Sequence, residues 1–215
     1  MNIKQAYNSW AEQYDSNQNK TRDLEAISLR TTLAGYSFDT CLEIGCGTGK
    51  NTEWLLTKAK QITAVDLSDE MLAKAKEKET LRQAQDKSDK VQFCQADITE
   101  DWAFANKQYD LVTFSLMLEH IEDLEAIFKK ASRVVSPGGF VYVGELHPFK
   151  QYSGTKARFD TEEGQQIVTC FNHHISDFTQ AAKNNGFEIV EVQEYFDDND
   201  RTGIPRILTL LLKKK

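Results

Sequence analysis

Three carboxylates stand at or beside the ends of short apolar runs: Glu43 in Cys41-Leu42-Glu43-Ile44, Asp66 after Ile62-Thr63-Ala64-Val65, and Asp97 after Phe93-Cys94-Gln95-Ala96. Between the first acid and a helical stretch lies Gly45-Cys46-Gly47-Thr48-Gly49, with glycines at alternate positions. Glycine adopts positive φ without strain and lets a ligand approach the main chain. The acids recur about one βα unit apart, and in an open α/β sheet ligands lie at the carboxyl ends of the strands, where the strand order reverses. Asp66 is then placed to accept from two ribose hydroxyls. Asp97 can accept from an adenine amino group, with the Ile98 N–H facing a ring nitrogen.

Glu43 decides which nucleotide-like ligand fits. A dinucleotide puts two negative charges at the first helix N-terminus, and a carboxylate beside the turn opposes them. S-adenosylmethionine (SAM) brings a sulfonium and an ammonium instead, and nearby acids then favour it. The glycine pattern alone is shorter than the GxGxxG fingerprint and would be weak evidence for either. The charges select SAM. A general base is needed only where the methyl acceptor must lose a proton. Four histidines are available. His120 follows the fourth strand, as a cap or a cofactor contact. His147 ends the fifth strand, as a base or substrate contact, or as an anchor for the Pro148 turn. His173 and His174 precede a late helix at the same sheet edge, as caps or as substrate and catalytic groups. None has metal-ligand spacing with an acid partner.

The elements that must position these groups alternate along the chain. Residues 1–36 read as helical, with Tyr7, Trp10 and Tyr14 on one helix face. That aromatic face either staples the helix to the core or forms a lid over the ligand. In the second helix Leu24, Ile27 and Leu29 are expected inside, with Gly35 as the C-cap. Strands are expected near 40–44, 62–66, 91–95, 109–115 and 140–146, with helices near 49–59, from Ser68, and through Ile121 to Val134. Ser136-Pro137-Gly138-Gly139 reads as a turn, and Glu70–Lys74 as a solvated pair. Alternating strands and helices imply right-handed crossovers and a mainly parallel sheet. After residue 147 the alternation breaks. Residues 147–172 are expected as an insert on the substrate side with a hairpin through Ile167-Val168, then a helix near 175–185 and two antiparallel strands near 187–196 and 206–213. Tyr152, Arg158 and Phe159 in the insert are candidates to close on an acceptor. Arg158 suits a carboxylate by bidentate pairing, or else bridges to Asp160, Glu162 or Glu163.

Composition bounds the function. The 215 residues fit one domain covering 1–215, and a net charge of −7 argues against nucleic acid as a partner. No apolar run reaches the length of a membrane span. Cys41, Cys46, Cys94 and Cys170 form no CxxC pair and read as buried free thiols in a reducing cytoplasm. Lys213, Lys214 and Lys215 read as a solvated tail.

Five stretches in order carry a resemblance: Leu42-Glu43-Ile44-Gly45-Cys46-Gly47-Thr48-Gly49; Ala64-Val65-Asp66-Leu67-Ser68 with Met71-Leu72; Gln95-Ala96-Asp97-Ile98; Tyr109-Asp110-Leu111-Val112 through Leu118-Glu119-His120-Ile121; and Arg133 through Gly139. Over residues 38–146 the chain resembles class I SAM-dependent methyltransferases, in the branch typified by ubiquinone/menaquinone and malonyl-carrier-protein methyltransferases. Tyr7 through Asp15 is similar to that family's N-terminal signature. The resemblance implies a Rossmann-like, doubly wound α/β sheet of seven strands, mainly parallel with an antiparallel C-terminal strand. It implies SAM as cofactor and S-adenosylhomocysteine as product. The implied cofactor residues are Tyr7, Tyr14, Glu43, Gly45, Cys46, Gly47, Asp66, Leu67, Met71, Asp97, Ile98, Ser115 and His120. Candidate substrate residues are Trp10, Tyr152, Arg158 and His173, and candidate catalytic residues His147 and His174. The expected acceptor is a small-molecule O, N or C nucleophile, taken by a monomer or homodimer. A carrier-bound or protein carboxylate, a non-catalytic SAM-binding module and a dinucleotide oxidoreductase are the alternatives.

Overall fold

The computed structural model describes residues 2–86, 89–161 and 164–215, without the side chains of 84–86, 159–161 and 165. Glu162 and Glu163, weighed above as partners of Arg158, lie outside the described residues, as do the side chains of Phe159 and Asp160.

Two helices come first, α1 (Ile3–Tyr14) and α2 (Lys20–Thr32). The sheet is then laid down by β1 (Phe38–Ile44), β2 (Ala59–Asp66), β3 (Val91–Gln95), β4 (Tyr109–Ser115) and β5 (Val135–Leu146). Between these strands run α3 (Lys50–Leu55), α4 (Asp69–Asp86) and α5 (Leu124–Val134). The insert after β5 holds α6 (Pro148–Tyr152) and a separate hairpin of β6 (Arg158–Thr161) and β7 (Gly164–Ile167). Helix α7 (Ile175–Asn184), β8 (Phe187–Tyr195) and β9 (Ile207–Lys214) end the chain. The main sheet has seven strands in the order β3-β2-β1-β4-β5-β9-β8, and only β9 runs antiparallel to its neighbours. The chain builds outward from β1 to β3, returns, and starts again at β4. The reversal therefore falls between β1 and β4, whose ends align through Ile44 opposite Phe114.

Strand composition explains the layering. β4 and β9 are almost wholly apolar runs whose residues are buried on both faces. Leu42, Ile44, Val112, Phe114 and Val143 point to one side, against α5 and α7. Cys41, Ile62, Ala64, Leu111 and Tyr142 point to the other, against α2, α3 and α4. Helix α4 is capped by Ser68, whose Oγ accepts the Met71 N–H, and its inner face is Met71, Leu72 and Ala75, as the period requires.

Several local expectations change in the fold. Ile27 is exposed, and α2 instead turns Glu25, Ser28 and Leu29 inward. The helix ends on Leu33, whose N–H bonds the Leu29 carbonyl, and Gly35 has no left-handed φ. Helix α3 stops at Leu55 rather than near 59. Residues 136–139 are absorbed into β5 as a register shift opposite Tyr109 and Leu111, with Gly138 at φ +76°. Lys74 reaches Glu12 of α1 at 3.0 Å rather than Glu70. Lys213 and Lys214 belong to β9 and lie over the rings of Phe140 and Phe187, so they are not a tail.

The inward acid of α2 is accommodated by a missing side chain. The Tyr142 hydroxyl donates to Glu25 Oε1 at 3.1 Å and contacts Ser28 Oγ at 2.8 Å, all in the core. A Cβ on Gly144 would lie 2.4 Å from that hydroxyl and 2.8 Å from Glu25 Oε1. Gly144→Ala is therefore expected to lower the melting temperature, with a cost of about 1–3 kcal/mol for the overpacking. Thermal unfolding of the purified variant checks this, and an unchanged midpoint would refute it.

Candidate functional site

The site grows from the end of β1. Gly45 and Cys46 both donate their N–H groups to the Val65 carbonyl, at 2.8 and 3.0 Å, which folds the turn onto β2. Gly45, Gly47 and Gly49 take φ of +76°, +53° and +80°, the left-handed region that other residues enter only at a cost. A Cβ on Gly45 would stand 2.9 Å from Met117 Cγ. One residue beyond Val65, Asp66 binds the same turn: its Oδ2 accepts the Gly47 N–H and its Oδ1 the Ser68 N–H, both at 2.8 Å. Burial raises the Asp66 pKa, and these backbone donors oppose the shift. Each carboxylate oxygen retains a second lone pair, so the group is oriented and can still accept.

Asp97 is held in the same manner. Its Oδ1 accepts the Thr99 N–H at 2.9 Å and the Thr99 hydroxyl at 2.6 Å. Asp66, Leu67, Met71, Asp97 and Ile98 line a solvent-open cleft at the ends of these strands. Gly45, Gly47, Ser115 and His120 line it too, with Tyr7 and Tyr14 of α1. Of the residues expected at a cofactor, Glu43 and Cys46 are absent from this cleft. They line a smaller void of about 440 Å³ that shares Tyr14, Gly45, Gly47, Ser115 and Leu116 with it.

That smaller void has two buried acids, Glu25 and Glu43, beside Arg22 and Lys50. Glu43 is 3% exposed and its Oε2 accepts the Thr52 hydroxyl at 2.6 Å. Burial pushes its carboxyl up to about 8; the Thr52 bond opposes the shift, and Glu25 and Asp66 add to it. Glu25, on the same void, is also raised by burial and accepts from Asn51 at 3.0 Å. A cation placed beside these acids would favour their ionised form and oppose the effect of burial.

Helix α1 is tied to the site by a defined tautomer. His120 Nδ1 lies 2.8 Å from the Thr169 carbonyl, which can only accept, so Nδ1 carries the proton. Its Nε2 lies 2.7 Å from the Tyr7 hydroxyl. Tyr14 lies beneath the Arg22 guanidinium, 4.0 Å from the ring centroid. Burial holds both phenols protonated, Tyr14 at about 12 and Tyr7 well above its usual value.

The remaining expected residues are dispersed. Trp10 and Arg158 line a second cleft of about 970 Å³, which borders the first through Tyr7, Tyr14 and Leu116. His147 is fully buried and caps α6: its Nδ1 accepts the Phe149 N–H, and Nε2 lies 3.0 Å from Glu194. Burial lowers its pKa, against the pull of Glu194. His173 is buried, with Nε2 on the Ile121 carbonyl at 2.7 Å and its ring against Phe178. His174 caps α7 at the surface and meets the exposed Tyr152 through Nδ1. None of these four residues lines either large cleft.

Sequence reasoning missed Arg22, Glu25, Thr99, Met117 and Glu119 as wall residues of the three voids. Arg22 and Glu25 carry no local signal, because only packing brings α2 to the end of β1. Glu119 did stand in view beside His120.

Residues 42–143 match the family described as a methyltransferase domain. A ubiquinone biosynthesis O-methyltransferase of Xanthomonas oryzae pv. oryzae is 28% identical over 74% of this chain, and the match spans 63% of that relative. A crystal structure from Listeria monocytogenes, assigned as a SAM-dependent methyltransferase, superposes with a TM-score of 0.74 at 25% identity, over 90% of this chain and 99% of that one. The DhpI–SAH complex shares the fold at a TM-score of 0.72 and 24% identity, over 97% and 93%. The protein is a class I SAM-dependent methyltransferase.

The residues present fit that cofactor. A class I site needs acceptors for ribose hydroxyls, and Asp66, oriented by Gly47 and Ser68, has lone pairs left to accept them. It needs tolerance for a cation near the glycine turn, where this methyltransferase buries Glu43 and Glu25. Asp66→Ala should weaken SAM binding roughly tenfold to several hundredfold, since hydrogen bonds to a charged group contribute about 1.5–3 kcal/mol each. Calorimetric titration measures it, and unchanged affinity would remove the basis for the pocket. Glu43 gives a second prediction. Its folded pKa, about 8, lies above the ordinary carboxyl value, so its contribution to stability is complete below that ordinary value and is lost as pH rises through about 8. The melting temperature of the ligand-free enzyme should fall across that window, and Glu43→Gln should flatten the fall. Parallel pH profiles of the two proteins decide it.

Proposed function

We propose that this methyltransferase acts on a small-molecule O, N or C nucleophile, received in the second cleft and methylated where that cleft meets the first. The observation that carries this reading is the shared wall. Tyr7, Tyr14 and Leu116 belong to both clefts, so two ligands of modest size can meet there without leaving the protein. Bound SAM supplies a methyl group already activated by the sulfonium. The chain's own contribution is alignment and exclusion of water, and orientation of this kind supplies roughly 7–11 kcal/mol.

The N-terminal helices supply the covering wall. Helix α1 buries Ala6, Trp10 and Ala11 against Met71 of α4 and Val168 of the insert. We read residues 1–36 as a lid and 147–172 as the acceptor-side insert of one domain. Where an acceptor must lose a proton, Glu119 is the group best supported as its base. It lines the second cleft, is 7% exposed, and its Oε2 has no hydrogen-bond partner among the described residues. Burial raises its pKa, with His120 opposing, which moves a carboxyl toward the range useful for general-base work. His147 and His174 are set aside for this role, the first because its ring is enclosed, the second because it faces solvent away from the clefts.

The test uses methyl-labelled SAM, the purified enzyme and a cell extract divided by size. Label is expected in the small-molecule fraction, with a product one methyl group heavier. Label confined to macromolecules would move the acceptor to a protein or carrier-bound group.

A further inference from the structure

The second cleft has an electrostatic character that the methyltransferase reading does not require. The chain as a whole is acidic, with a net charge of −7. Yet Lys20, Arg22, Lys156, Arg158 and Arg206 line this one cleft, and Glu119 is the single acid among its described lining residues. Arg206 is committed elsewhere: it forms a two-pronged pair with Asp197 and donates to the Thr21 hydroxyl. Arg22 is different. It donates to the carbonyls of Tyr14 and Asn17, which fix its position, and it is within electrostatic reach of Asp15.

Lys20, Lys156 and Arg158 form no ion pair among the described residues, whereas Lys4, Lys50, Lys60, Lys74, Lys78 and Lys150 each stand within 4.0 Å of a carboxylate. Lys20 and Arg22 stand at the start of α2, and Lys156 and Arg158 on the approach to β6, two segments far apart in sequence that the fold brings to one cleft. Between them lies an aromatic wall of Tyr7, Trp10 and Tyr14, with the Tyr7 and Trp10 centroids 5.8 Å apart. Glu119 neighbours His120, on the side of the cofactor cleft.

We propose that the methyl acceptor is an anion, a small molecule with an apolar or aromatic body and a carboxylate, phosphate or phosphonate group, which Lys156 and Arg158 of the insert recognise together with Lys20 and Arg22. The proposal rests on the small-molecule reading above and narrows its substrate class. The aromatic wall receives the body of the acceptor, the cations receive its charge, and the nucleophile faces the shared boundary at Tyr7. Arginine pairs with such oxyanions in two-pronged fashion, and lysine adds a point charge.

The test separates a small-molecule cell extract on an anion exchanger before labelling, because methylation of the acid itself would remove the charge. Each fraction is then incubated with methyl-labelled SAM and either the wild-type enzyme or Lys156→Ala/Arg158→Ala, and SAM affinity is measured for both proteins by calorimetry. The expected result is label from the retained, anionic fraction. The double variant, binding SAM as the wild type does, should need roughly tenfold or more of that fraction for the same rate. Label from the unretained fraction would overturn the proposal and leave the small-molecule reading standing. Label from the anionic fraction at an equal rate in the double variant would overturn the assignment to this cleft. No label from any fraction, with SAM binding intact, would overturn the small-molecule reading and this proposal with it.

Discussion

Everything at the site depends on how the end of β1 is bound to the end of β2. The Val65 carbonyl accepts two consecutive N–H groups, from Gly45 and Cys46, and the next residue, Asp66, accepts a third from Gly47. A strand carbonyl normally serves one ladder partner. Here it gathers the turn, and the carboxylate beside it completes the gathering, so the turn cannot rise away from the sheet without stranding buried donors. The same three bonds set the depth of the cleft floor. They also leave Asp66 oriented for a ligand, so one carboxylate serves both the fold and the site. The left-handed φ values of the glycines follow from this bonding.

The second constraint is the price of buried acid. Glu25, Glu43, Glu119 and Glu145 are all under 9% exposed, and burial raises the pKa of each. Glu145, pushed up to about 8, shows why such a residue persists. Its Oε1 accepts the N–H groups of Met117 and Leu118 at 2.9 and 2.8 Å and so shapes the turn after β4 that carries His120. Glu25 and Glu43 have a different role, because they face the void next to the glycine turn. Glu119 lines the second cleft, so buried acid borders both sides of the shared wall.

Much of this was legible in the amino-acid order, for reasons that are local. A doubly wound sheet repeats one unit, so the apolar runs ending in Asp66 and Asp97 carried both the strand and its functional end. Tyr7, Trp10 and Tyr14 lay on one face because helical spacing puts them there. What local pattern could not show was direction after the insert begins. His147 ends a strand at the correct sheet edge, but its ring turns into the protein against Glu194, a partner 47 residues later. Ile27 has the right spacing for the core and still faces solvent, because α2 turns toward the Tyr142 hydroxyl and buries Glu25 and Ser28 instead. Arg22 and Glu25 join the site only through the packing of α2. Polar residues that packing alone recruits have no periodicity to betray them.

The way α1 is attached bears on how ligands enter. Along α4 it is fastened by Lys4–Asp69, Lys74–Glu12 and Lys78–Asp15, with side chains that are mostly a third or more exposed, and exposed pairs of this kind contribute about 0–1 kcal/mol each. The sheet beneath is held by strands with no exposed apolar residue in β4 or β9. The apolar face of α1 adds to these pairs, since Ala6, Trp10 and Ala11 are buried against Met71 and Val168. Tyr7 and Tyr14 are walls of both clefts, and Tyr7 is joined through His120 to Thr169 of the chain leaving the insert. Helix α1 thus borders both clefts, and the Tyr7–His120–Thr169 chain links helix, turn and insert.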